Sequence, residues 1–218
     1  TEIGAYAFAN SVKLETLTGF HAQTQSIDAN AFYNCPLLPF DSISYAETNR
    51  DTKLAKIYFY ANNSTVTTDY LNTLKNKLEN ILGQNYTAEI YFTGSNITLN
   101  RSGSGLFSSY NQLKRIYIGS NAFTVIPQST FSRCENLTEI IFAEDNILQE
   151  IGDQAFAGCS SLKTIDLPNS ITTLGPMCFG GCFALESVTI GENVTNLTAS
   201  FALCPKLTVD TIYIHENN

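Results

Sequence analysis

The chain repeats itself, and a repeat of this length restricts the fold more than any other property of the sequence. Ile126–Ile140 reads IPQSTFSRCENLTEI, Ile151–Ile165 reads IGDQAFAGCSSLKTI, and Leu174–Val188 reads LGPMCFGGCFALESV. Ile27 opens a fourth stretch, IDANAFYNCPLL. The common frame is an aliphatic residue, Phe five later, Cys three after that, Leu three further on, and Ile or Val three beyond. Ile3, Phe8, Ser11, Leu14 and Leu17 fit it with Ser in the Cys position, and Phe107, Tyr110, Leu113 and Ile116 fit it with Tyr there. Phe201, Cys204 and Leu207 close the series. From Phe107 to Phe131, Phe156, Phe179 and Phe201 the steps are 24, 25, 23 and 22 residues. One such unit cannot bury its apolar groups alone. Stacked units can, so residues 1–218 are expected to form a single solenoid domain of about eight coils.

The spacing within a coil assigns its parts. Ile165 and Leu167 are two apart and share one face of a short strand, which turns Thr164 and Asp166 to solvent. Pro168 has no N–H for a ladder and marks the end of that strand. The small-residue segment AFAGC at 155–159 tucks Phe156 and Cys159 back beneath it. Parallel strands about 4.8 Å apart then line one long face.

This frame resembles the BspA-like leucine-rich-repeat family, whose coils run aliphatic-Gly-x-x-Ala-Phe-x-x-Cys-x-x-Leu-x-x-Ile-x-Leu-Pro. The likeness is closest over 151–168, good over 126–142 and 174–190, and fair over 3–17 and 27–38. The resemblance implies a leucine-rich-repeat solenoid with parallel β-strands on a concave face and short turns or helical segments outside. It also implies a bacterial (or protist) surface protein used for adhesion and protein binding, hence an extracellular or cell-surface location.

The middle of the chain departs from the frame. Between Leu54 and Phe107 the Phe-x-x-Cys signature is missing. Residues 57–60 and 89–92 read as strands. Residues 67–82 read as a helix with Leu71, Leu74, Leu78, Ile81 and Leu82 on one stripe. Thr67, Thr68 or Asp69 supplies an N-cap, and Gly83 sits at the C-cap position. Two arrangements fit the irregular region 41–105: an enlarged coil that carries the helix outside while the ladder continues, or a separate βαβ insertion. Residues 41–53 are polar and suit a loop or a hairpin equally.

Composition narrows the function classes. With 12 Lys+Arg against 20 Asp+Glu the net charge is -8, which speaks against nucleic acid as a partner because a polyphosphate needs a basic stripe. Hydrophobic residues make up 44% and charged residues 15%, unlike a disordered chain. No apolar run reaches the roughly 18 to 20 residues of a membrane span, so membrane insertion is not expected. The amino terminus carries no basic segment followed by an apolar one, so Thr1 reads as the start of a mature or cut chain.

Candidate chemistries are sparse. Cys35, Cys134, Cys159, Cys182 and Cys204 recur in register, which suits a ladder of small buried thiols; a disulfide or a metal site is the competing reading. Cys178 stands outside that ladder, either exposed and oxidisable or a second buried small residue. There is no Cys-x-x-Cys, and only His21 and His215 are present, so zinc spacing is missing and no metal or cofactor is expected. The Ser-Gly-Ser-Gly run at 102–105 lacks the Gly-Lys-Ser/Thr of a phosphate loop. Asp145 and Asn146 offer oxygen donors of the kind Ca²⁺ takes, though one acidic pair does not make a site.

Binding is better founded. The strand residues that alternate with the core include Tyr58, Tyr91, Arg115, Tyr117, Glu139, Ile141, Thr164, Asp166 and Tyr213. Exposed Tyr flanked by Arg and Glu is typical of protein-recognition patches. Tyr and Thr are also simply good strand formers on a solvated sheet, and both readings stand. The expected function is a non-catalytic module that binds an extracellular protein or glycan through the concave sheet. The rivals are a structural spacer within a larger surface protein and a hydrolase with its site in 41–105. Both chain ends lack polar capping coils, which admits an end-to-end dimer.

Overall fold

The computed structural model describes residues 2–3, 26–27, 44–49, 51–100 and 105–215. Strands β1 (Glu2–Ile3) and β2 (Ser26–Ile27) pair in parallel in a sheet of their own. Then come β3 (Ser44–Asn49), β4 (Leu54–Phe59), β5 (Thr65–Val66), α1 (Thr68–Leu82), β6 (Thr87–Phe92), β7 (Thr98–Leu99) and β8 (Leu113–Ile118). The remainder is β9 (Val125–Ile126), β10 (Glu139–Phe142), β11 (Glu150–Ile151), β12 (Thr164–Asp166), β13 (Thr173–Leu174), β14 (Ser187–Ile190) and β15 (Ile212–Ile214).

The coils that begin with β4, β6, β8, β10 and β12 each contribute one main strand and one two-residue strand. The main strands stack in parallel as β4–β6–β8–β10 and as β12–β14–β15. Their core residues stay in register, with Ile57, Ile90, Ile116 and Ile140 in one row and Ile165, Val188 and Ile212 in the other. A second ladder on the other side of the core pairs β5 with β7 and runs β9–β11–β13, aligning Ile126, Ile151 and Leu174. Among the described residues β10 and β12 are not paired, so the long face divides into two sheets. The β9–β11–β13 ladder crosses that seam unbroken and holds the coils together there.

A spine of phenylalanines fills the core. Phe107, Phe131, Phe156, Phe179 and Phe201 stack ring on ring, with centroids 5.0, 5.2, 5.2 and 5.4 Å apart. Phe59 and Phe92 continue it at 5.1 Å, and Phe92 meets Phe107 edge to face. The glycine after the aliphatic residue of the frame has a steric cause. A Cβ on Gly152 would lie 2.8 Å from Gln128 N, and one on Gly175 would lie 2.5 Å from Asp153 N, so the coils touch backbone to backbone there.

The enlarged-coil arrangement is the one found. β4 pairs β6 and β6 pairs β8 in parallel, so the ladder runs through the helix-bearing region. Thr67 caps α1 by accepting from Tyr70 N–H at 3.2 Å, and Gly83, at φ 79°, returns its N–H to Glu79 O. Leu71, Leu74, Leu78 and Leu82 are buried and Ile81 partly so. The polar stretch before β4 holds β3, antiparallel to β4 with Ala46 opposite Ile57, so the hairpin alternative holds. That strand ends the parallel ladder. The residues within 4–25 and 28–43, including Phe8, Ser11, Leu14, Leu17, His21 and Cys35, lie outside the described residues.

Candidate recognition face

Register converts the outward-facing residues into two rows across β4, β6, β8 and β10. One row is Tyr58, Tyr91, Tyr117 and Ile141. The other is Lys56, Glu89, Arg115 and Glu139, alternating in sign at every strand. The sequence places Tyr45 and Glu47 of β3 at the next register positions of the same two rows. Two-residue periodicity within the strands creates the rows, and the in-register parallel ladder aligns them.

The aromatic row is ordered. Tyr58 and Tyr91 stack with centroids 4.7 Å apart and planes 15° apart, and Tyr117 follows 6.1 Å from Tyr91 at 37°. Ile141 ends the row as an exposed aliphatic side chain. The charged row is tied to it. Arg115 donates from Nε to Glu139 Oε2 at 2.6 Å and from Nη1 to Glu89 Oε1 at 3.3 Å, while the Tyr91 hydroxyl donates to Glu89 Oε2 at 2.7 Å. Glu89 is only 9% exposed, and those donors satisfy its buried carboxylate oxygens. Burial, and then the hydrogen bond to Glu89, push the Tyr91 phenol up to about 12. Stacking and the Tyr91–Glu89 hydrogen bond order the tyrosines along this face.

The second sheet has a different surface. Thr164 aligns with Ser187, and Asp166 with Thr189 and Tyr213. Tyr213 therefore does continue the outward row. Asp210 lies in a short 3-10 turn (Val209–Thr211), and Ile212 takes the core place opposite Val188. His215 reaches back over β14, with Nε2 3.1 Å from both Asp166 Oδ1 and Leu167 O. The structure brings Tyr58, Tyr91, Arg115, Tyr117, Glu139 and Ile141 together. Thr164, Asp166 and Tyr213 lie beyond the seam.

Other residues singled out by their sequence positions are structural. Cys134, Cys159, Cys182 and Cys204 are free thiols directed at the carbonyls of Phe107, Phe131, Phe156 and Phe179 at 3.2–3.4 Å. Cys178 is free and buried, in the row just before each Phe that also holds Leu106, Thr130, Ala155 and Ser200. Asn146 is buried and spends its amide on Ile118 O, Gly119 O and Leu148 N–H, and Asp145 accepts from the Ser120 hydroxyl. Among the described residues no three His, Cys, Asp or Glu groups are placed to hold a metal ion, and no helix is long and apolar enough to cross a membrane.

The sequence profile of the BspA type leucine rich repeat region matches in six copies, over residues 1–124, 39–147 and 124–218. The chain belongs to the BspA-type leucine-rich-repeat family. No curated protein sequence matches it. A leucine-rich repeat protein from Bacteroides ovatus is similar in structure at 22% identity, over 60% of this chain and 36% of its own, with a TM-score of 0.40. The leucine-rich repeat protein of T. pallidum matches at 18% identity over 74% and 76%, TM-score 0.34. A leucine rich cell surface protein from Faecalibacterium prausnitzii matches at 17% over 72% and 55%, TM-score 0.34. This BspA-type chain thus spans about a third of the Bacteroides structure's length.

Proposed function

We propose that the chain is a non-catalytic recognition module of a bacterial surface protein, which binds an extracellular protein or glycan through the face built by β4, β6, β8 and β10. The observation that supports this is the preassembled row of Tyr58, Tyr91, Tyr117 and Ile141 beside a charged row that neutralises itself. An ordinary solvated sheet has no need of a carboxylate as buried as Glu89 to hold a tyrosine in place. Aromatic side chains held rigid beside paired charges are the composition of binding hot spots. Family membership agrees with an outer-surface setting.

The test is binding of the immobilised chain to a panel of extracellular-matrix proteins and glycans, beside a Tyr58→Ala, Tyr91→Ala, Tyr117→Ala variant checked for native folding. Saturable binding that the variant loses is expected. Binding unchanged in the variant, or no binding at all, would leave a spacer role in its place.

A further inference from the structure

The ladder of two-residue strands is interrupted between β7 and β9. Among the described residues β5–β7 and β9–β11–β13 are separate sheets, although β6 and β8, the main strands of the same two coils, are paired. Elsewhere two N–H groups tie each of these strands to the coil before it. Thr98 and Asn100 donate to Ser64 O and Val66 O at 2.7 and 3.0 Å. Glu150 and Gly152 donate to Thr124 O and Ile126 O at 3.1 and 2.8 Å, and Thr173 and Gly175 to Gln149 O and Ile151 O at 3.1 and 2.8 Å. In β9 the equivalent positions are Val125 and Pro127. Proline has no N–H to give, and no bond joins Val125 N–H to Ile97 O. Ile97 O and Leu99 O therefore receive nothing from β9.

A cavity of about 330 Å³ lies in this gap, lined by residues 96–99 of one coil and by 123–125 and Pro127 of the next. That volume is within the range of ligand clefts. The cleft is thus bordered by two strand edges that face each other with backbone groups to spare. Such groups need partners, and an added strand supplies them in alternation. None of the lining side chains is charged, so a charged occupant would find no counter-ion there. Leu99 and Phe123 give the cleft an apolar side, while Thr98 and Thr124 are exposed.

We infer that the cleft between β7 and β9 is a docking site for an extended, uncharged peptide segment of a partner protein. The segment lies parallel to β7 and takes the rungs that Val125 and Pro127 leave empty. Two of its N–H groups, two residues apart, donate to Ile97 O and Leu99 O, and one of its carbonyls accepts from Val125 N–H. The residue between the two donors carries an aliphatic side chain towards Leu99 and Phe123, as buried Leu174 stands between the donors Thr173 and Gly175. The tyrosine row belongs to the main strands on the other side of the core, so the two proposals stand or fall separately.

The test titrates the acetylated and amidated peptide Ile-Thr-Thr-Leu-Gly, the sequence of residues 171–175, into the isotope-labelled whole chain and follows its amide NMR shifts. That sequence already presents two donors in the required spacing to β11. Saturable shifts at the Val125 and Leu99 amides are expected. Replacing the peptide's glycine by N-methylglycine removes the donor to Leu99 O and should weaken binding about fivefold or more. Pro127→Gly restores an N–H where Gly152 and Gly175 have one, joins β7 to β9 and should abolish binding, with circular dichroism confirming the fold. No saturable shift, shifts confined to other coils, equal binding of the N-methylated peptide, or a Pro127→Gly variant that binds as well would overturn the proposal.

Discussion

At the residue scale, each outer turn depends on two left-handed backbone positions, two before and two after the spine Phe. The first set is Gly105, at φ 96°, and Ser129, Gln154, Met177 and Ala199, with φ of 54–56°. The second is Ser109, Arg133, Gly158, Gly181 and Leu203, with φ from 56° to 76°. A side chain costs about 1–2 kcal/mol in that region. Gly158→Ala and Gly181→Ala, where an added Cβ meets no atom closer than 3.4 Å, should each lose about 1 kcal/mol from this cause alone. Leu203→Gly should gain a similar amount, and urea midpoints at constant slope measure all three. Removing the Arg115 guanidinium leaves Glu89 buried with only a tyrosine donor, so Arg115→Ala should cost about 1–3 kcal/mol. Glu139→Ala, on the solvent side of the same pair, should cost under about 1 kcal/mol. The thiols give a pH test. Burial pushes Cys134 and Cys178 up to about 12, as it does the Tyr86 phenol, which also bonds the Tyr110 hydroxyl at 2.7 Å. These folded pKa values lie above the unfolded ones, near 8.5 for Cys and 10 for Tyr. The stability they contribute is complete below pH ~8.5 and is lost as pH rises towards 12. Melting temperatures that stayed flat to pH 12 would contradict it. The thiol ladder was legible because Phe, Cys and Leu recur in one frame. The left-handed turns were not, because Ser, Arg, Gln, Met, Ala and Leu occupy most of these positions, where only Gly105, Gly158 and Gly181 advertise the conformation.

At the element scale, the spine carries the stacking energy between coils. Phe156 stacks between Phe131 and Phe179 with planes 8° and 4° apart, and no solvent reaches it. Phe156→Ala should cost about 3–5 kcal/mol, read by thermal or urea denaturation. The main strands and α1 were legible as alternating and helical patterns, since Leu71, Leu74, Leu78 and Leu82 fall on one stripe that the core accepts. The two-residue strands β5, β7, β9, β11 and β13 were not, for two residues show no period. For β3 the sequence leaves a loop and a hairpin equally open, because Ser44 and Thr48 are polar yet buried and break the expected alternation. The pairing of Arg115 with both Glu89 and Glu139 appears only once register sets the three side by side.

At the scale of the whole molecule, a solenoid's coils contact only their neighbours, so separate stretches of its surface are free to serve separate ends. The seam between β10 and β12 divides the long face here. Before it lie the tyrosine and charge rows; after it lie Thr164, Ser187, Thr189 and the His215–Asp166 contact. From the sequence alone Tyr58, Tyr91, Tyr117, Thr164, Asp166 and Tyr213 look equivalent, since nothing in a two-residue period distinguishes one coil's outward positions from another's. Register and the break in pairing separate them. The most direct measurement compares binding to a panel ligand by two variants of equal thermal stability. One carries Tyr58→Ala, Tyr91→Ala and Tyr117→Ala; the other carries Thr164→Ala and Thr189→Ala. Binding is expected to be lost in the first and retained in the second. Binding kept by the first variant, or lost only in the second, would contradict it.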